Sequence, residues 1–318
     1  MANEATAPAL YTVAAPPHWH CGRTVTGVMQ QYILALLPAA VMAVVYYGLP
    51  ALRVMALSCA TAVAVEAACC RIMDRESSVD DFHAVLTGLL FAFLLPAAAP
   101  WWLVVVGAAV TIVMGKMLFG GLGGNPLCAP LVGWAILALS WKTQMDPDAM
   151  VLATTLVNPL TQLKYLGLAA AQKVSLGDML LGKQLGGLGA VQVLALLAGA
   201  AFLAARGLLK LYIPLSFLAG VFLTGLVYYL MDGSVYPNPV FHLLTGSVVL
   251  GACFLATDPN SSPVNRAAMV CFGLTCGVMT VIIRVYGMYP DGVPFAILLA
   301  NLFTPMFDLI RPKPFGAR

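Results

Sequence analysis

The sequence predicts an all-α polytopic membrane protein with ten transmembrane helices, arranged as two inverted five-helix repeats. Three observations predict this. Apolar residues make up 61% of the 318-residue chain and charged residues only 9%, where a soluble domain carries roughly one quarter charged residues. Apolar runs approaching the roughly twenty residues needed to cross a hydrocarbon layer of about 30 Å recur along the whole chain. The two halves also share a pattern of residues at matching positions. Backbone exposed to lipid must satisfy its own hydrogen bonds, which a helix does within one segment, and the short alternating segments of a β-barrel are absent.

In order, the apolar runs fall at about 29–48, 51–70, 84–99, 101–119 and 127–141, then 187–205, 211–231, 240–256, 267–289 and 293–310. The third, fifth and eighth are short for a full crossing, so they are expected to be tilted, broken or buried within the bundle. The organisation read from this is an N-terminal segment 1–26, a first repeat 27–141, a polar loop 142–186, a second repeat 187–311 and a tail 312–318. The apolar part of the first segment is short and is followed by Pro16-Pro17, unlike a signal peptide.

An even number of spans puts both termini on one side, and the basic residues of short loops indicate which side. Arg23, Arg71, Arg75, Lys116, Arg206, Lys210, Arg266, Arg311, Lys313 and Arg318 fall on the terminal side. The opposite short loops hold Arg53 and Arg284, and the long loop adds Lys142, Lys164, Lys173 and Lys183. The short loops therefore orient the termini to the cytoplasm and the central loop to the outside of the inner (plasma) membrane. A net charge of +3 gives no reason to expect a nucleic-acid partner.

The repeat rests on Phe82-His83 leading to Leu86-Thr87-Gly88, matched by Phe241-His242 leading to Leu244-Thr245-Gly246. Further on, Lys116 with Phe119-Gly120 corresponds to Arg284 with Tyr286-Gly287. Inverted repeats of this kind place broken helices and binding sites near the axis relating the halves.

Few residues carry chemistry. The eight cysteines contain no Cys-x-x-Cys pair and fall mostly in apolar spans, as packing residues do, so no metal centre and no iron-sulfur cluster is expected on this chain alone. Glu66 lies at membrane depth with Arg71 and Arg75 beyond it. It belongs either to an ion or proton path or, the favoured reading, snorkels towards those arginines. Lys116 and Arg284 either meet a ligand or anchor span ends. The run from Gly115 to Pro126 holds Gly120, Gly121, Gly123 and Gly124 before Asn125; it reads as an anion-holding turn or as a plain flexible connection, and it lacks the Walker spacing. In the central loop, Asp148 is followed by four residues and then Ala153-Thr154-Thr155.

That spacing resembles the flavin-attachment site of the RnfD/NqrB family of membrane subunits. The Gly-Lys-x-x-Phe-Gly-Gly-Leu-Gly run at 115–123, Thr257-Asp258-Pro259, and Tyr289-Pro-Asp291-Gly with Pro305-Met-Phe-Asp308 are similar to the same family, nearer its RnfD branch. The resemblance implies a membrane subunit of an ion-translocating ferredoxin:NAD oxidoreductase complex. It implies FMN esterified through its phosphate to Thr154, with Thr155 the alternative acceptor and Asp148 and Ala153 completing the motif. It further implies cofactor contacts from Lys116, Gly120, Gly121, Asn125 and Asp291, with room for a second, non-covalent flavin. The implied partners are other Rnf subunits, among them a second flavinylated subunit and iron-sulfur subunits, together with a flavin transferase and the lipid bilayer. Coupling to Na+ or H+ transport is implied as well. The rival readings are an NqrB-like subunit of a sodium-pumping quinone reductase and a flavin-free channel or transporter for small solutes.

Overall fold

The computed structural model describes residues 22–310 apart from 76–77, 149–155 and 172–173, and the described residues form helices and turns without a strand. The first half consists of α1 (Val25–Tyr47), α2 (Leu49–Ile72), α3 (His83–Leu94), α4 (Trp101–Gly115) and α5 (Ala129–Ser140). Four short helices follow: α6 (Lys142–Met145), α7 (Pro159–Leu166), α8 (Leu168–Ala171) and α9 (Leu176–Leu181). The second half consists of α10 (Val193–Ala205), α11 (Tyr212–Met231), α12 (Pro239–Leu244), α13 (Val248–Leu250), α14 (Arg266–Tyr286) and α15 (Val293–Phe307). A π-helical turn, Gly251–Leu255, continues α13. This is a multi-pass membrane protein.

Five of the described helices are long and apolar enough to cross a bilayer: α1, α2, α4 with its following turn (Trp101–Phe119), α11 and α14. The remaining apolar helices are shorter than a full span. At 1.5 Å per residue, a helix the length of α3, 12 residues, covers only about 18 Å. Its end is set by Pro96, which disfavours helical backbone at Leu95. The span expected from Gly187 starts as a helix only at Val193, because the glycine-rich stretch before it does other work. The Leu188 amide donates to the Leu95 carbonyl (2.8 Å), and the Gly189 and Ala190 amides donate to that of Phe93 (both 3.2 Å). These bonds satisfy the carbonyls that the early end of α3 leaves open. The eighth run is not one helix: it breaks at Thr245-Gly246-Ser247 between α12 and α13.

α2 packs against α3 and α4, and α4 against α5; in the second half α11 packs against α12 and α14, and α14 against α15. α1 lies on α10 and joins the halves. The α4–α5 contact needs Gly133, where a Cβ would sit 1.8 Å from Thr111 Oγ1. Phe91, Phe93, Phe217 and Phe272 fill the core.

The bundle has two ends. At the terminal end, Arg75 donates to the Gly120 carbonyl (2.9 Å) and the Val264 amide to Asp308 Oδ1 (3.2 Å). At the loop end, Arg53 donates to the Ala99 carbonyl (3.0 Å) and Tyr47 to that of Gln184 (3.0 Å).

Candidate functional site

An open cleft of about 970 Å³, mouth included, occupies the loop end. One wall comes from the central loop (Asn158, Leu160, Thr161, Tyr165), another from the α14–α15 turn (Met288, Tyr289, Pro290, Asp291), and Trp134 of α5 stands behind. Aromatic rings shape it: Trp134 meets Phe295 edge-on with centroids 5.2 Å apart, and Phe295 lies 4.9 Å from Tyr289. Lys142 also lines the cleft, its ammonium 6.0 Å from the Tyr289 ring centroid.

The loop wall is built around Asn158. Its Oδ1 caps α7 by accepting from the amides of Leu160 (3.1 Å) and Thr161 (3.4 Å), with Pro159 at the first helical position, the usual chemistry of a helix start. Its Nδ2 donates to Asp148 Oδ2 (3.2 Å), ten residues earlier in the chain. Burial raises the Asp148 carboxyl, against the lowering effect of its hydrogen bond with Asn158. Lys164, one turn further along α7 than Leu160, donates to the carbonyls of Gly287 and Tyr289. Burial lowers its pKa first, and the neighbouring Lys142 ammonium adds to that.

The floor of the cleft is the break between α12 and α13. Gly246 adopts φ +67°, and a Cβ there would come within 2.8 Å of the Arg284 guanidinium, so only glycine fits the turn. Arg284, buried on α14, donates to the carbonyls of His242 and Thr245 (both 2.8 Å) and pairs with Asp291 Oδ1 (3.1 Å). Asp291 Oδ2 accepts from the Ser247 amide (2.8 Å) and hydroxyl (2.5 Å).

A second cavity of about 770 Å³ opens at the terminal end. It is lined by Tyr32 of α1, His83 and Thr87 of α3, Asn125 and Cys128 before α5, and Asp258 after the π turn. Asn125 Nδ2 donates to the Leu127 carbonyl (2.9 Å) and to Asp258 Oδ2 (3.4 Å), while its buried Oδ1 has no partner among the described residues. Burial pushes the Asp258 carboxyl up to about 6, against hydrogen bonds from Asn260, Ser261 and Asn125. Among the described residues, no lysine or arginine lines this cavity.

The residues singled out from the sequence thus divide between two sites. Asp148 and Asp291 belong to the loop end, Asn125 to the terminal-end cavity. Lys116 lies fully buried beneath the terminal end, 2.6 Å from the equally buried Glu66, which also accepts from Ser78 (2.5 Å). Glu66 therefore does not snorkel towards Arg71 and Arg75: Lys116 reaches in to meet it. Gly120 and Gly121 have φ of +104° with open space around them, and Gly120 offers its carbonyl to Arg75. Ala153, Thr154 and Thr155 lie outside the described residues. Sequence reasoning missed Asn158 and Lys164. Asn158-Pro159 was a readable helix start; nothing in the sequence marked Lys164 as reaching the α14–α15 turn.

Comparison with known proteins fits this arrangement. The profile of the NQR2, RnfD, RnfE family matches residues 12–316. The chain is 37% identical over 300 residues to the D-type subunit of the Na+-translocating ferredoxin:NAD+ oxidoreductase complex of Acetobacterium woodii, covering 93% of this chain and 92% of that one. It is 32% identical over 350 residues to the D-type subunit of an ion-translocating oxidoreductase complex of Cronobacter sakazakii, covering 97% of this chain and 100% of that one. A match so nearly end to end means that the chain belongs to the NQR2, RnfD, RnfE family.

Proposed function

We propose that this chain is the D-type membrane subunit of an Rnf complex, carrying FMN esterified to Thr154 at the loop end and relaying electrons between ferredoxin-side and NAD-side partners, coupled to Na+ or H+ transport. The observation that carries the reading is the Asp148–Asn158 bond (3.2 Å), which holds Asp148 of the motif to a residue that lines an aromatic cleft. A ring tethered to Thr154, between the two in sequence, has an aromatic seat within reach, and Lys142 supplies positive charge for a phosphate. When bound, FMN would supply one- or two-electron carriage; the cleft's own residues, Trp134, Tyr165 and Tyr289 among them, would seat the ring and shield it from water.

The terminal-end cavity suits a second, non-covalent flavin without a phosphate, since its described lining offers a carboxyl, an unpartnered amide oxygen and no lysine or arginine. Support for two inverted five-helix repeats comes from the matching contacts of the halves and from the buried cation near the end of α4 and of α14, Lys116 and Arg284, each beside a serine-bonded carboxylate. Basic residues of the short loops favour cytoplasmic termini and an outer loop end. The other Rnf subunits, a second flavinylated subunit and iron-sulfur subunits among them, and a flavin transferase for maturation complete the proposal.

The test is direct. Protein produced with a flavin transferase and run on a denaturing gel is expected to fluoresce under ultraviolet light, and Thr154→Val to be dark. Fluorescence that survives in Thr154→Val but not in Thr155→Val moves the ester to Thr155; a dark wild type removes the covalent flavin from this chain.

A further inference from the structure

We infer that Lys164 is a positioning residue that ties the two walls of the loop-end cleft together beside its bound ring and holds positive charge there. The inference rests on the loop-end flavin proposed above and concerns how the walls of that site are held in place.

α7 has eight residues, and a helix of that length is not stable by itself in water. Its hold on the rest of the molecule comes from few contacts. Leu160 is buried in a small cluster with Met179 and Phe241, which anchors the start of the helix from beneath. Towards its other end, Leu166 and Tyr165 are exposed. Between them, Lys164 sends its ammonium across to the carbonyls of Gly287 and Tyr289, in the turn that forms the opposite wall of the cleft. The side chain thus stitches the loop wall to the α14–α15 turn.

The choice of partners matters. Among the described residues no carboxylate lies within salt-bridge distance of Lys164, so two neutral carbonyls satisfy its donors without cancelling its charge. Lys142 is near enough to disfavour protonation of Lys164, and Lys142 itself lines the cleft. Two ammonium groups are thereby near the cleft, Lys142 in its lining and Lys164 on the carbonyl of its lining residue Tyr289; Asp146 and Asp291 line it too, and an anionic occupant beside the lysines would relieve their mutual repulsion. A phosphate ester, or a ring that has gained negative charge on reduction, is such an occupant. A tie made only for mechanical strength would be served as well by a neutral donor; charge left uncompensated serves electrostatics too.

Three variants separate these roles. Lys164→Met removes tie and charge, Lys164→Gln retains a donor without charge, and Lys164→Arg retains both. In flavinylated protein, iodide quenching of the bound flavin is expected to rise about two-fold or more in Lys164→Met, as local opening exposes the ring, and its midpoint potential to fall. Lys164→Arg is expected to restore both, and Lys164→Gln to restore the quenching but not the potential. Unchanged quenching and potential in a flavinylated Lys164→Met would overturn the inference while leaving the flavin site standing; absence of flavin from the wild type would fail the underlying proposal instead. A second measurement needs no flavin. Spin labels at Leu166→Cys and Tyr286→Cys, both exposed positions, report the span between the two walls. Their distance distribution is expected to broaden with Lys164→Met, or with Lys164→Ala if the methionine variant does not accumulate, and to remain narrow with Lys164→Arg and Lys164→Gln; a distribution unmoved by loss of the donor refutes the tie.

Discussion

Arg284 and Asp291, 3.1 Å apart, grip a broken helix from its two sides. The guanidinium takes the carbonyls that end α12, and the carboxylate takes the amide and hydroxyl of Ser247 that begin α13. Each charge thus compensates backbone groups as well as its partner, which is how a chain break survives in a setting where an unmade backbone hydrogen bond costs several kcal/mol.

Removing one member of this pair leaves the other buried or half-buried with its bonds unmade. Arg284→Met is expected to destabilise the protein by about 3–5 kcal/mol, the usual cost of breaking a buried pair from one side. Asp291→Asn, which keeps an acceptor for Ser247, is expected to cost less. Thermal unfolding of detergent-solubilised protein measures both, and equal losses would mean that the carboxylate charge is what matters at the break.

At the terminal end, Glu66 and Lys116 form a pair with no exposed side-chain surface. Lys116→Met and Glu66→Gln are each expected to lose about 3–5 kcal/mol, and the double variant to lose less than the sum of the two. Strict additivity in the double-mutant cycle would show that the pair is not coupled.

Asn158 caps α7 and clamps Asp148 at once. Asn158→Ala is expected to cost about 1 kcal/mol locally, read as amide exchange over 158–166 accelerated about five-fold. Exchange in the core helices should not change. Asn158→Asp retains the cap but sets a second carboxylate against Asp148, so α7 should stay protected while its link to residue 148 weakens.

Asp258 gives a pH dependence with a definite sign. The folded carboxyl titrates at about 6 against about 3.9 in an unfolded chain, so the native state holds this proton more tightly. Its contribution is fully present below about pH 4 and is lost as pH rises through about 6, on the order of 3 kcal/mol across that window. Asp258→Asn should flatten the slope of unfolding temperature against pH between about 4 and 6. A slope that persists in the variant places the titration elsewhere.

Much of the fold could be read from the sequence, because apolar runs follow directly from the solvent the chain must meet. α1, α2, α11 and α14 lie within a few residues of their expected runs. The break after Leu244 was less legible, since Val240 to Ala256 reads as one apolar run apart from His242 and the Thr245-Gly246-Ser247 triplet. What breaks the run is Arg284 and Asp291, about forty residues away in sequence. The same holds for the site: the Asp148 motif was visible from its spacing, but its link to Asn158 and the crossing of Lys164 to the turn at Gly287 are tertiary contacts with no local signature. Glu66 and Lys116, fifty residues apart, both stand out as charges in apolar sequence, yet only the packing of α2 on α4 reveals that they answer each other.

The shortness of α3 bears on where the membrane voltage falls. His83, Leu86, Thr87 and Leu90 along α3 line the terminal-end cavity and Leu94 at its end lines the loop-end cleft, so about 6 Å of helix, one turn, separates the two linings. Where both fill with water, the membrane voltage drops over that interval instead of the bilayer's full thickness of about 30 Å. Any charge passed from one cavity to the other then crosses nearly the whole voltage in a short step, worth about 2.3 kcal/mol per charge for each 100 mV. A short helix in the middle of the bundle thereby acts as a focusing element, steepening the local electric field several-fold.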